Sequence, residues 1–339
     1  MPEASQLQFT EDQRICRVLN GLWQVSGHHG TIDPKAAIKS MFAYHDAGFT
    51  TWDLAEHYGP AADFIGEFRR QLVRERGEDV LQDLQCFTKW VPQRGRTVVT
   101  RKIVEAAIDL ALKRMYTDRI DLLQFHCWDY DNKDYLEALK HLNSLKEEGK
   151  IVHLALTNFD TKHLEIVLNT GIPIVSNQVQ FSLIDRRPLV SMVELCQDAK
   201  VQLLAYGTLC GGLLSETYLE VSEPRESTLD TASLLKYKTM IDAWGGWELF
   251  QQLLQEMSIV ALRYQVSLAN VAVRYVLQQP TVSGAIVGVR LGLTEHLADN
   301  ARVFDFNLDR EDYARLDSVL AKGRNLQRVI GDCGAEYRQ

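Results

Sequence analysis

The stretch IDLLQFH, residues 120–126, decides the fold. It is a nearly continuous apolar run that ends on a histidine. A strand with water on one face alternates apolar and polar residues. A run this unbroken is expected where helices cover both faces of a parallel sheet. Similar segments recur to either side: near 16–23, FTTWD at 49–53, LQCFTKW at 84–90, IVHLALT at 151–157, PIVSNQV at 173–179, VQLLAY at 201–206 and SGAIVG at 283–288. Helical patterns separate them. Asp33-Pro34 reads as an N-cap followed by proline at the first helical position, then Ala37, Ile38, Met41 and Phe42 form one stripe that stops at Gly48. Further helices are expected over about 61–75, 101–115, 136–148, 161–170 and 188–199. A long connection from Gly207 to about Thr231 precedes three more, near 232–243, 247–263 and 267–279, and the last two lie near 294–302 and 309–321.

Eight strand patterns in this alternation predict a (β/α)8 barrel, in which every strand finds a partner on both sides. An open doubly wound sheet is the competing fold. Such a sheet usually holds a dinucleotide on a GxGxxG turn after an early strand, and no such turn is present. Residues 1–339 are therefore expected to form a single domain with a core over about 14–321, a polar N-terminal extension and a C-terminal tail.

Composition narrows the function. The net charge of −8 argues against a nucleic-acid partner. The densest basic group, Arg69, Arg70, Arg74 and Arg76, is countered by Glu67, Glu75, Glu78 and Asp79, as on a solvated helix face. The opening MPEASQLQFT lacks the basic and apolar character of a signal peptide. No apolar run approaches the roughly 20 residues that span a bilayer. The six cysteines contain no CxxC pair and read as buried, reduced thiols. A cytoplasmic protein without membrane or nucleic-acid partners is expected.

The chemistry lies in what ends each strand: Asp53, Lys89, His126, Asn158, Gln178 and Tyr206. In a barrel, strand C-terminal ends and the loops after them build the active site. Taken singly, the aspartate reads as a helix cap, the lysine as a solvated cation and the histidine as hydrogen-bonded structure. An acid, a lysine and a histidine closing consecutive apolar units converge on one mouth. A buried lysine needs a counter-charge, which Asp53 can supply. A cation near Tyr58 is expected to lower the phenol's pKa and make it a general acid. His126, as a neutral donor, would orient the same substrate oxygen. No metal is required.

GFTTWDLAEHYG closely resembles the aldo/keto reductase signature in which an aspartate is followed five residues later by a tyrosine. Lys89 in FTKW and His126 in LLQFHCWD complete that family's Asp–Tyr–Lys–His tetrad in the same order, and the resemblance covers roughly 14–321. It implies an NADP(H)-dependent oxidoreductase that reduces aldehydes or ketones, or oxidises the corresponding alcohols or sugars, with NAD(H) as the other possible cofactor. It also implies that Asn158 and Gln178 hold the nicotinamide carboxamide and that Tyr206 stacks on the nicotinamide. GVRLGLTEHLADN resembles the family's phosphate and adenosine motif, with Gly288 and Arg290 near the 2′-phosphate, Asp299 and Asn300 near the adenine, and His296 also among the cofactor-side positions. A glycine beside an arginine, opening a helix at Thr294, would seat an anion. Trp23, Trp90 and Trp128 fall where the family builds an apolar substrate wall. Two departures stand out: Gly207 occupies a position where many relatives carry serine, and His296 one where they often carry arginine or glutamine. Two other functions compete. A metal-dependent barrel hydrolase could use His126 and Asp129, although no strand end carries an HxH pair. A non-catalytic, nucleotide-sensing auxiliary subunit would keep the same fold. Loops near 24–32, 91–97, 127–134 and 207–231 are expected to set substrate specificity.

Overall fold

The computed structural model of the protein describes residues 5–27, 29–95, 98–294 and 296–338. Two short strands, β1 (Gln6–Gln8) and β2 (Arg14–Cys16), form an antiparallel hairpin. The next eight are β3 (Val18–Gly21), β4 (Thr51–Asp53), β5 (Gln85–Trp90), β6 (Ile120–Phe125), β7 (Ile151–Thr157), β8 (Ser176–Gln180), β9 (Gln202–Tyr206) and β10 (Val282–Gly288). They pair in parallel in chain order, and β10 closes on β3 to complete the barrel. This is the eight-stranded barrel expected from the apolar runs.

Helices lie between the strands. After β3 comes α1 (Pro34–Asp46), whose Asp33 cap accepts from the Ala36 amide at 2.7 Å with Pro34 in the first turn. Then follow α2 (Ala61–Arg76), α3 (Arg101–Met115), α4 (Asp134–Glu147), α5 (Thr161–Leu168) and α6 (Met192–Ala199). The last of these starts later than the sequence suggests, because 187–189 instead form a short 3-10 turn. Between β9 and β10 lie α7 (Ala232–Trp244), α8 (Gly246–Tyr264) and α9 (Leu268–Leu277). Beyond β10 are α10 (Leu297–Ala301), α11 (Arg310–Leu320) and α12 (Leu326–Val329). Among the described residues no helix is long and apolar enough to cross a membrane.

The polar N-terminal extension has a structural role that its composition does not announce. Phe9 and Ile15 from the hairpin are buried with Leu19, Phe87, Leu122, Ala155 and Leu204, side chains from five barrel strands. Phe9 packs on Phe87 with ring centroids 5.8 Å apart. The hairpin thus plugs the end of the barrel opposite the strand C-termini and keeps water from its apolar base. Phe9→Ala should cost about 3 kcal/mol of stability, the transfer and cavity cost of a buried phenyl ring. Urea unfolding measures it, and a loss below about 1 kcal/mol would show that the hairpin is only appended.

Candidate functional site

Successive side chains of a strand point to opposite faces. Phe87 and Lys89 therefore share the inner face of β5, and Leu122 and Gln124 that of β6, with His126 one step beyond its end. The inward set is apolar at the base and polar at the mouth. At that change Lys89 Nζ donates to Asp53 Oδ2 at 2.6 Å and to the Leu54 carbonyl oxygen at 2.9 Å. Asp53 Oδ1 accepts from Gln124 Nε2 at 2.9 Å and from Gln178 Nε2 at 2.7 Å. Gln178 also donates to Gln124 Oε1 at 2.6 Å. All four side chains are buried. Burial pulls the Lys89 pKa down, and the contact with Asp53 opposes that fall.

Tyr58 stands in the loop between β4 and α2. Lys89 Nζ lies 5.2 Å from its ring centroid, and the Trp23 ring packs edge-on at 5.0 Å. The phenol differs from the sequence expectation. Its pKa is raised well above 10, by burial first and then by the negative field of Asp53 and the neighbouring Tyr337. The Lys89 charge, paired with Asp53 at 2.6 Å, does not offset these effects.

His126 also differs from its expected role. Its Nδ1 lies 3.2 Å from the Thr157 carbonyl oxygen. A carbonyl can only accept, so the ring proton sits on Nδ1, and the buried Nε2 finds no hydrogen-bond partner among the described residues. Burial, with Arg338 next, brings the ring's pKa down to about 3. The neutral ring therefore offers an acceptor at Nε2 where the sequence suggests a donor.

Asn158, at φ 59°, uses its Oδ1 to accept from the Tyr206 hydroxyl at 2.7 Å. Of the expected wall residues, Trp128 packs perpendicular to His126 at 4.4 Å and donates to the Pro92 carbonyl oxygen. With Trp23 it flanks the mouth. Trp90 faces the other way: neighbour parity with Lys89 turns it outward, where it stacks on Phe125 at 5.5 Å and lines a cavity of about 180 Å³ with Glu56, Val91 and Pro92.

Beyond β10, Arg290 is exposed, and its guanidinium contacts the His29 carbonyl oxygen at 3.3 Å. The helix expected at Thr294 begins instead at Leu297, after His296. The Arg290 carbonyl accepts from the amides of Leu293 and Thr294, so the chain turns there before entering α10. Asp299 accepts from Ser267 Oγ and Asn270 Nδ2, both at 2.9 Å, and so braces α10 against the start of α9. Asn300 faces a small gap with Val18, Leu209 and Val287. Cys127 and Cys210 are buried, and burial pushes their thiols up to about 11 and about 12. Among the described residues no three His, Cys, Asp or Glu side chains meet as a metal-ligand set, so the hydrolase alternative finds no donor cluster to build on.

Two features escape a motif-based reading. Gln124 is one, although its parity with His126 and its polarity inside an apolar run mark it. The other is the segment 332–338, which reaches the mouth from beyond α12: Arg338 donates to the carbonyl oxygens of Cys127 and Asn158 at 2.6 and 2.7 Å. Its sequence carries no pattern that announces a docking site.

The profile of the Aldo/keto reductase family matches residues 17–321. The chain belongs to the aldo/keto reductase family. This aldo/keto reductase is 26% identical over 310 residues to the aldo-keto reductase YhdN of Bacillus subtilis, covering 90% of this chain and 89% of that protein. It is 25% identical over 329 residues to the L-glyceraldehyde 3-phosphate reductase of Escherichia coli O157:H7, covering 92% and 91%. The glycerol dehydrogenase of Gluconobacter oxydans has the same fold, with a TM-score of 0.77 at 21% identity over 98% of both chains. The departure at Gly207 has a local cause. At φ 72° a Cβ there would lie 2.3 Å from the Tyr237 hydroxyl, so the backbone and its neighbour both require glycine.

Glu56, in the same loop as Tyr58, accepts from the Val91 amide at 3.3 Å, and burial raises its carboxyl to about 7. The folded protein therefore binds more protons here than the unfolded chain between about pH 4.5 and 7, and stability falls as pH rises through that interval. Glu56→Gln should stabilise the protein at pH 8, by up to about 3 kcal/mol, and have little effect at pH 4.5. Thermal melts at the two pH values check this. An equal change at both would show that the carboxyl does not titrate as its burial implies.

Proposed function

We propose that this aldo/keto reductase is an NADP(H)-dependent reductase of small aldehydes and ketones, with Tyr58 as the general acid. The observation that carries the reading is the buried Lys89–Asp53 pair beneath Tyr58, at a mouth where burial and Asp53 keep the phenol neutral and burial keeps the His126 imidazole neutral. The residues present suit a nicotinamide. Tyr206 offers an aromatic surface, Asn158 an amide, and Gln178, whose amide nitrogen is committed inward, a carbonyl oxygen for the carboxamide. Arg290 supplies an exposed cation suited to a 2′-phosphate, which favours NADP(H). His296, Asp299 and Asn300 follow it in the chain, and at Gly288 the Gln24 side chain packs against the backbone where a Cβ would stand, so these four residues complete the proposed nucleotide side.

A bound reduced cofactor supplies the hydride. The chain's residues supply the rest. As the carbonyl carbon accepts hydride, its oxygen gains negative charge, and Tyr58 transfers its proton there to give the alcohol. Because the phenol's pKa is raised, the proton is present on Tyr58 at neutral pH, which suits reduction. His126 Nε2 accepts a hydrogen bond from a hydroxyl of the substrate or of the newly formed alcohol. Trp23 and Trp128 exclude water and favour a substrate with an apolar or aromatic portion. The auxiliary-subunit alternative does not need this proton-transfer geometry, and no specific contact favours it.

The test follows oxidation of NADPH and NADH by the purified protein against a panel of aldehydes, ketones and sugars, beside Tyr58→Phe. The parent should oxidise NADPH in preference to NADH. Tyr58→Phe should lose about 10²–10⁴-fold in turnover with cofactor affinity nearly unchanged. A folded Tyr58→Phe variant that binds cofactor and keeps most of its rate would overturn the assignment.

A further inference from the structure

The segment 332–338 grips the residues that the proposed nicotinamide seat requires. Glu336 forms a 2.8 Å ion pair with Arg187, which is paired in turn with Asp185 at 2.8 Å, and this triad is almost wholly shielded from water. Asp332 caps α5 by accepting from the Thr161 amide at 2.8 Å. Gly334, at φ 80°, sits directly against the Asn158 carbonyl oxygen, and a Cβ there would lie 2.1 Å from it. The Arg338 guanidinium bonds that same oxygen and lies over the Tyr130 ring at 4.0 Å. Between these anchors, the Tyr337 hydroxyl lies 3.2 Å from the Tyr206 hydroxyl, and the Tyr337 ring is 6.1 Å from His126.

One more group completes the arrangement. Lys236 Nζ donates to the Tyr337 hydroxyl at 2.7 Å and stands 5.3 Å from the centroid of the Tyr206 ring. Docking of the segment thus holds an ammonium group beside the ring on which a nicotinamide would stack. Asn158 and Tyr206 are meanwhile bonded to each other and pressed by Gly334 and Tyr337.

We propose that the segment 332–338 is a built-in latch on the nicotinamide seat, so that its docking and cofactor binding compete. The inference rests on the reading of Asn158 and Tyr206 given above. The competition is strongest for the oxidised cofactor, because its nicotinamide ring is a cation and would meet the Lys236 ammonium. Ligand and latch obey linkage: whatever free energy the docked segment gains, the cofactor must overcome.

The experiment compares the full chain with a chain ending at Gly331 and with full-length Gly334→Ala, which breaks docking without altering a side chain of the mouth. NADPH and NADP⁺ dissociation constants are measured by fluorescence titration, and folding by circular dichroism. Amide hydrogen exchange over 332–338 in the full chain is followed with and without NADPH. Both altered chains should bind NADPH about tenfold more tightly than the full chain, and NADP⁺ should gain more. Exchange over 332–338 should rise when NADPH is added. Unchanged or weaker cofactor binding by a folded Gly334→Ala, or slower exchange with cofactor, would overturn the latch and make the segment a wall of the occupied site. Failure of all three chains to bind either nucleotide would instead overturn the functional reading on which the latch rests. Should the shortened chain not fold, Gly334→Ala and the exchange measurement decide alone.

Discussion

The mouth of this barrel depends on one buried ion pair. Lys89 and Asp53, 2.6 Å apart and about 5% and 4% exposed, come from adjacent strands at the height where the barrel lining changes from apolar to polar. Desolvating two charges costs several kcal/mol each, and their attraction offsets that only with good geometry and full hydrogen bonding. The surroundings meet both conditions. The Leu54 carbonyl takes a second lysine proton, and the amides of Gln124 and Gln178 take the remaining carboxylate lone pairs. A pair so tightly satisfied fixes the relative height of β4, β5, β6 and β8, and with it the positions of the loops that carry Tyr58 and His126.

The same satisfaction changes the chemistry expected of the neighbours. A lysine with a free charge would draw the phenol toward ionisation. Here burial opposes ionisation and the carboxylate next to the lysine adds to that opposition, so Tyr58 remains a protonated acid. His126, with its proton held on Nδ1 by a backbone carbonyl, presents an acceptor at Nε2. The mouth thus combines one neutral donor and one neutral acceptor, an arrangement that binds an uncharged carbonyl or hydroxyl group without a net charge to neutralise.

Much of this was legible in the sequence because two periods govern it. The continuous apolar runs reveal doubly covered strands, and eight of them close a barrel. A polar residue that ends such a run has no reason to be there except the mouth, which points to Asp53, Lys89 and His126. Parity along a strand is equally physical, and it separates Lys89, facing inward, from Trp90, facing the helices. What remained hidden depends on contacts between distant segments. Nothing local in the polar extension shows that Phe9 and Ile15 fill the barrel base. Nothing in GAEYRQ shows that Tyr337 and Arg338 reach Tyr206 and Asn158. The direction of the Tyr58 shift is hidden for the same reason: it depends first on how deeply the fold buries the phenol, then on the nearby Asp53 and on Tyr337 from a distant segment.

Burial and the Asp53 carboxylate of the ion pair together leave Tyr58 a neutral acid. Tyrosine labelled with ¹³C at Cζ tests it most directly, with the Tyr58 resonance assigned by its absence from Tyr58→Phe and followed in the cofactor-free protein from pH 6 upward. No ionisation shift of that resonance is expected through pH 10. A titration with a midpoint near neutrality would show that Lys89 acts on the phenol after all, and would contradict it.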